Sequence, residues 1–226
     1  QEVPELVSYL QGIVDKRRSL KGQYILTGSQ NFVMMEQVTQ SLAGRAGILE
    51  LFSLSAHELK LSPQMSTKDV VIKILNGFYP EPVLNQTMDS RQWYSSYFKT
   101  YVERDVRALT QVGDLSSFER FVRILAIRTG NLLNVSEVAK DSGVSPSTAE
   151  RWLSILERTY LVYRLEPYYS NLSSRIKKSP KIYFYDVGLA AYLAGFRSAE
   201  ALEAAPQLGA FFETLVISDL KKRIAH

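Results

Sequence analysis

Four side chains crowded into "SPSTAER", namely Ser145, Ser147, Thr148 and Arg151, are of the kinds that meet nucleic acid. Hydroxyls suit phosphate oxygens, and a guanidinium can take a guanine edge through two hydrogen bonds. A second group follows in "SRIKKSPK", where Arg175, Lys177, Lys178 and Lys181 bring positive charge suited to a phosphate backbone. Only Arg151 could read a base in this bidentate way, and Glu150 beside it would repel phosphates. Ser154 is a further outward candidate.

Other chemistry is thinner. A phosphate loop of the type G-x-x-x-x-G-K-[ST] is missing, as are HExxH, GxSxG and any evident set of acidic metal ligands. The sequence has no cysteine and only two histidines, His57 and His226, which argues against thiolate zinc sites, cysteine nucleophiles and histidine triads. No metal site is expected. The formal charge of +4 is mild for a dedicated nucleic-acid binder, so any basic patch must be local. With 226 residues, 46% of them hydrophobic, the chain can bury real cores. No apolar run approaches the roughly 18 to 20 residues of a membrane span. "QEVPELVSYL" has neither the basic start nor the apolar stretch of a signal peptide. The expectation is a cytoplasmic protein with no membrane partner.

The elements that would position the first group read clearly. In "NVSEVAKDSGVSPSTAERWLSILERTY", Asn134 or Ser136 can cap a short helix. Gly143 supplies the left-handed turn, and Ser145 followed by Pro146 is an N-cap with proline in the first helical position. Val138, Ala139, Val144, Ala149, Trp152 and Leu153 are placed to pack the two helices together. A further helix over 117–129 precedes them. "LVYRLEPYY" and "KIYFYDV" follow as β-like runs. Helices followed by a hairpin predict a winged helix, with the second basic group on its wing. Such a module can serve as a DNA reader or as a packing and partner module.

Upstream, "VPELVSYLQGIVD" has the spacing of an amphipathic helix, while "QYILTGSQ" and "AGILELFSL" look like buried parallel strands. Two strands cannot complete a doubly wound sheet, so more of it is expected before residue 1. "NGFYPEPV" marks a turn. "SRQWYSSYFKTYVERDVRAL" carries an aromatic stripe, read as core, with Glu103, Arg104, Asp105 and Arg107 toward its end. The carboxy-terminal "LGAFFETLVISDLKKRIAH" is helical.

In order, "VPELVSYLQGIVD", "YILTGSQ", "SLAGRAGILELFSLSAHEL", "WYSSYFKTYVERDVRAL", "RTGNLLNVSEVAKDSGVSPSTAERWLSILERTYLVYRLEPYY" with its continuation to "GLAAYL", and "FFETLVISDL" resemble the bacterial and archaeal AAA+ type ATPases that carry a C-terminal DUF4143 domain. In that family a phosphate loop and a Walker B strand precede this region, and "QEVPEL" is similar to the segment just past the Walker B acids. The resemblance implies a mostly α chain with an α/β part. Residues 1–56 would be the distal part of an AAA+ core, 57–112 a helical lid or linker, 113–187 the winged-helix domain and 188–226 the start of a nuclease-like DUF4143 region.

It also implies site residues. "LTGS" stands where sensor 1 does, making Ser29 and Thr27 candidates to touch the γ-phosphate or attacking water, although both could simply cap the next helix. Arg45 in "LAGR" resembles an arginine finger or sensor, the alternative being a pair with Glu50 or the sheet edge. Glu213 matches the glutamate in the first helix of the nuclease-like fold. ATP and Mg2+ are implied for the full-length protein and neither for this chain alone. DNA and a second copy in a homo-oligomer are the expected partners. The competing expectation is a winged-helix DNA-binding regulator or a protein-interaction module.

Overall fold

A computed structural model of the chain describes residues 6–27, 42–62, 64–85, 87–101, 115–168 and 178–224. The chain divides into two compact units, Gln1–Leu51 and Phe52–His226. The described residues are mostly helical, with one small two-stranded sheet.

In the first unit α1 (Leu6–Lys16) turns Val7 and Leu10 inward, and Leu42 packs with Val7. Residues 20–27 and 46–54 carry no strand, although the sequence pattern predicts one in each stretch. A buried parallel strand needs hydrogen-bonding neighbours at its edges and cover on both faces. Here Ile25 is 89% exposed, Leu49 98% and Leu51 94%. The apolar residues are present, but the described residues of this unit give them neither ladder nor cover.

In the second unit α2 (Thr67–Asn76) begins at a capping box in which Ser66 and Asp69 each accept the other's backbone N–H, and it stops at Gly77. The stretch read as a turn contains a short helix, α3 (Pro80–Leu84), because proline in the first turn of a helix loses no hydrogen bond. α4 (Ser90–Tyr101) buries Tyr94, Phe98 and Tyr101, with Trp93 and Tyr97 packed beside them, so the aromatic stripe is core. Glu103, Arg104, Asp105 and Arg107 lie outside the described residues.

α5 (Leu115–Ile127) leads through a turn at 128–130 and a short bridging stretch into α6 (Val135–Ser142) and then α7 (Pro146–Arg158). Asn134 caps α6 by accepting from the N–H groups of Ser136 and Glu137; Gly143 takes the left-handed turn at φ 76°; Ser145 caps α7. Val138, Ala139, Ala149, Trp152 and Leu153 are buried where the helices meet. β1 (Val162–Leu165) and β2 (Lys181–Phe184) pair antiparallel, Tyr163 opposite Tyr183, and Lys181 also bridges to Leu132.

α8 (Val187–Leu193) follows, then α9 (Ala199–Glu203) and α10 (Leu208–Ile224). The sequence "VGLAAYL" makes α8 slim enough to be the hub: it touches α2, α4, α5, α10 and β2. Its N-cap is Asp186, 2% exposed. One carboxylate oxygen of Asp186 accepts from the Tyr94 hydroxyl at 2.7 Å and the Leu189 N–H at 2.9 Å, and the other from the Phe78 N–H at 2.9 Å. Gly77, at φ 65°, and Gly188 sit backbone to backbone here: a Cβ on Gly188 would lie 2.5 Å from the Gly77 Cα. Lys222 on α10 is buried nearby, donating to the Leu54 carbonyl at 3.2 Å and lying 5.2 Å from the Phe78 ring centre. Burial holds its ammonium below the ordinary lysine range, against the attraction of Asp186, Asp219 and Glu58.

Because three donors converge on Asp186, an amide there must turn its NH2 toward one of them. Asp186→Asn is expected to lower the unfolding free energy by roughly 2 to 4 kcal/mol. Tyr94→Phe, which removes one donor, is expected to cost about 1 to 2 kcal/mol. Urea titrations of the three proteins read both, and an Asp186→Asn variant as stable as the parent would show that the carboxylate is not the tie.

Candidate functional site

The hydroxyls at the start of α7 bind one another. Ser145 Oγ accepts the Thr148 N–H at 3.2 Å and makes hydrogen bonds to the hydroxyls of Ser147 at 3.0 Å and Thr148 at 2.9 Å. Ser145 and Ser147 are exposed and Thr148 is half-buried. Arg151 is exposed one turn further on, with no ion pair among the described residues. Ser154 turns back onto the Glu150 carbonyl. Capping alone accounts for Ser145, so its hydroxyl is structural first and available to a ligand second.

Glu150 has a partner that the sequence pattern did not single out. Arg164 on β1 donates to Glu150 at 2.7 Å and, through two nitrogens, to Glu157 at 2.9 and 2.8 Å. The two glutamates stand seven residues apart, two turns of one α7 face, so one guanidinium spans both. Burial alone would pull Arg164 down, but the hydrogen bonds to Glu157 and Glu150 outweigh it and hold the guanidinium above its ordinary range. The signal lay in the alternation of "VYRL", where Arg164 takes the face that also buries Val162. The carboxylate next to Arg151 is therefore paired from within the fold, with one guanidinium shared between two acids.

Two members of the second basic group, Lys178 and Lys181, are among the described residues. Arg175 and Lys177 lie outside the described residues. Lys178 is exposed. Lys181 is held by Glu213 of α10 across 2.6 Å, and the same carboxylate oxygen accepts the Tyr183 hydroxyl. These two bonds, the lysine's first, hold the Glu213 carboxyl below the ordinary range; burial and then the carboxylate push the Tyr183 hydroxyl up. Lys181, Tyr183 and Tyr163 share the outer face of the hairpin, and α10 covers it with Glu213, Ile217 and Lys221, whose ammonium lies 5.9 Å from the Tyr163 ring centre. For Glu213 the structure thus shows a positional partnership with the hairpin. Among the described residues no group of three or more His, Cys, Asp or Glu is placed to hold a metal ion.

In the first unit Thr27 is exposed and Ser29 lies outside the described residues. Arg45 faces Asp15 through two hydrogen bonds of 2.7 and 3.1 Å, rather than Glu50 or a sheet edge. The guanidinium beside it holds the Asp15 carboxyl below its usual range, and Arg45 is raised in turn. Arg18 also reaches Asp15, at 3.2 Å.

The family model described as "Domain of unknown function (DUF8612)" matches residues 67–200, and one described as "AAA domain" matches residues 1–60. The sequence resemblance had pointed to DUF4143; the matched model over the second unit is DUF8612. Uncharacterized proteins of Mycobacterium tuberculosis and Mycobacterium bovis are each 30% identical over 225 residues, covering 100% of this chain and 50% of the relative. An uncharacterized protein of Haemophilus influenzae is 22% identical over 207 residues, covering 86% of this chain and 52% of the relative. The chain therefore spans about half the length of the curated relatives it matches. No solved structure matches it. Among the described residues, no helix is long and apolar enough to cross a membrane.

The Glu213 bonds carry a pH signature. A carboxyl held below its ordinary 4.5 in the folded state contributes stability that is complete above that pH and is lost as the pH falls through the folded value. Glu213→Gln is thus expected to be less stable than the parent at neutral pH, with the difference shrinking as acid is added below about 4.5. Urea midpoints measured across this range test it; a constant difference would contradict the assignment.

Proposed function

The chain belongs to the DUF8612 family of domains of unknown function, and we propose that it is part of an ATP-binding AAA+ type ATPase, in which nucleotide state repositions the modules that follow the core. The observation that carries this reading is the AAA-domain match over residues 1–60. The exposure of Ile25, Leu49 and Leu51 in that stretch supports it, since these are the side chains that a fuller α/β sheet would cover. The relatives are about twice as long as this chain, which leaves room for such a sheet and its phosphate loop.

ATP and Mg2+ fit the residues of this chain only in part. Without a phosphate loop the chain does not cradle the triphosphate, and it contributes polar side chains at the edge of that site: Thr27 and Ser29 after the first apolar run, and Arg45. Bound ATP supplies the phosphoanhydride whose hydrolysis drives a change of state. Arg45, already gripping a carboxylate with two nitrogens, has the geometry that also grips a phosphate. Asp15 orients that guanidinium through the same nitrogens that would hold a phosphate.

Two measurements on the full-length protein test this. It is expected to bind ATP, and absence of affinity removes the reading. Arg45→Ala is expected to slow hydrolysis by roughly 100-fold with little change in ATP affinity, whereas Asp15→Asn, which loses the resting pairs with Arg45 and Arg18, is expected to keep most of the rate. Equal losses in the two variants would make the pair structural.

A second reading concerns the second unit. The order α5, α6, tight turn, α7 and hairpin supports reading this unit as a winged helix, and α7 would then be the helix that meets DNA. The observation favouring it is Arg164: its guanidinium pairs with Glu150, the acid next to Arg151, and Arg151 itself stands exposed. Duplex binding is then expected to weaken with salt, and Arg151→Ala to cost about 1 to 3 kcal/mol. Anisotropy titrations at low salt that show no binding would remove it.

A further inference from the structure

The two faces of the β1–β2 hairpin are covered by different helices. α7 lies against one, through Arg164; α10 lies against the other, through Glu213, Ile217 and Lys221. Lys181 stands at the base of the hairpin's loop, three residues after exposed Lys178, and its backbone is fixed by pairing with Leu165 and bridging to Leu132. Only its side chain is left to choose a partner.

We propose that Glu213 is an internal competitor for nucleic-acid phosphate, holding Lys181 against α10, so that the hairpin gains a phosphate contact only when this ion pair opens. The inference rests on the reading of α7 and the hairpin as a DNA-contacting module. Three observations carry it. The pair is formed between side chains 38% and 40% exposed, a setting in which ion pairs are weak and exchange one oxyanion for another at little cost. The carboxylate oxygen that takes Lys181 also takes the Tyr183 hydroxyl, so Glu213 stays anchored when the lysine leaves. Glu213 sits on α10, whose Thr214 hydroxyl bonds to Thr129 and whose Lys222 reaches the Leu54 carbonyl, so the competitor is placed by the same packing that holds α8 and α5. A shift of α10 would move Glu213 relative to Lys181 and change the grip of the hairpin.

The test uses a short labelled DNA duplex and the 226-residue chain, with anisotropy read between about 50 and 200 mM salt. Glu213→Gln keeps an acceptor for Tyr183 and frees the lysine; Glu213→Ala serves as the second variant, and thermal unfolding verifies that each is folded. Both are expected to bind roughly 3- to 10-fold more tightly at the low-salt end, with the slope of log affinity against log salt steeper by about 0.9, the value of one added phosphate contact. Adding Lys181→Ala to either variant is expected to abolish the gain. If the parent binds and the glutamate variants bind no better, or keep their gain without Lys181, the competition is overturned while the DNA reading stands. If parent and glutamate variants alike fail to bind at low salt, the DNA reading falls and the competition with it.

Discussion

A single buried carboxylate organises the second unit. Asp186 closes the first turn of α8, receives the hydroxyl of Tyr94 from α4, and receives the Phe78 N–H just after α2 ends. A carboxylate taken out of water is destabilised unless its oxygens are satisfied, and here three donors do so, with buried Lys222 supplying positive charge from α10. The arrangement is directional as well as stabilising. Apolar packing would let α2, α4 and α8 slide, whereas three hydrogen bonds at fixed angles set their register. The close approach of Gly77 and Gly188 follows from the same point, since Asp186 draws the two backbones together where only hydrogen atoms fit.

The hairpin and α7 are linked by charge in a similar way, but nearer the surface. Arg164 gathers two glutamates of α7, and Glu213 gathers Lys181 and Tyr183, so each face of the sheet is tied to its helix by one multiply bonded side chain. The distribution of charge on this unit is therefore a product of folding. Glu150, which in sequence weighs against phosphate contact, is paired inside the unit, while Lys181, which in sequence weighs in favour, is partly withdrawn.

Local features of the fold were legible from sequence. The Asn134 and Ser145 caps, the left-handed turn at Gly143 and the inward aromatic stripe of α4 each depend on residues within one or two turns of one another. Asp186 was not legible: "KIYFYDV" continues a β-like pattern, and the partners that make its aspartate an anchor lie 108 residues away at Phe78 and 92 at Tyr94. Lys222 was missed for the same reason, because spacing along the chain does not encode contacts between elements, whereas for Arg164 the alternation of "VYRL" gives the face but not the two glutamates it meets. The two upstream strands failed differently. Their apolar pattern is real, but a strand is defined by its neighbours, and a pattern cannot supply them. Of the candidate site residues, Ser145, Ser147 and Arg151 are exposed at α7, Lys181 turns to Glu213 while Lys178 is exposed, and Arg45 turns to Asp15.

The uncovered side chains of the first unit bear on how the chain behaves in bulk. In this chain taken alone, Ile25, Leu49 and Leu51 offer water an apolar surface whose backbone takes part in no described ladder, the combination that lets one chain adhere to another. Such adhesion grows with concentration, while the self-contained core of the second unit does not depend on it. In a crowded solution the two units of one chain would follow different laws, the second governed by its own folding free energy and the first by how many other molecules are near.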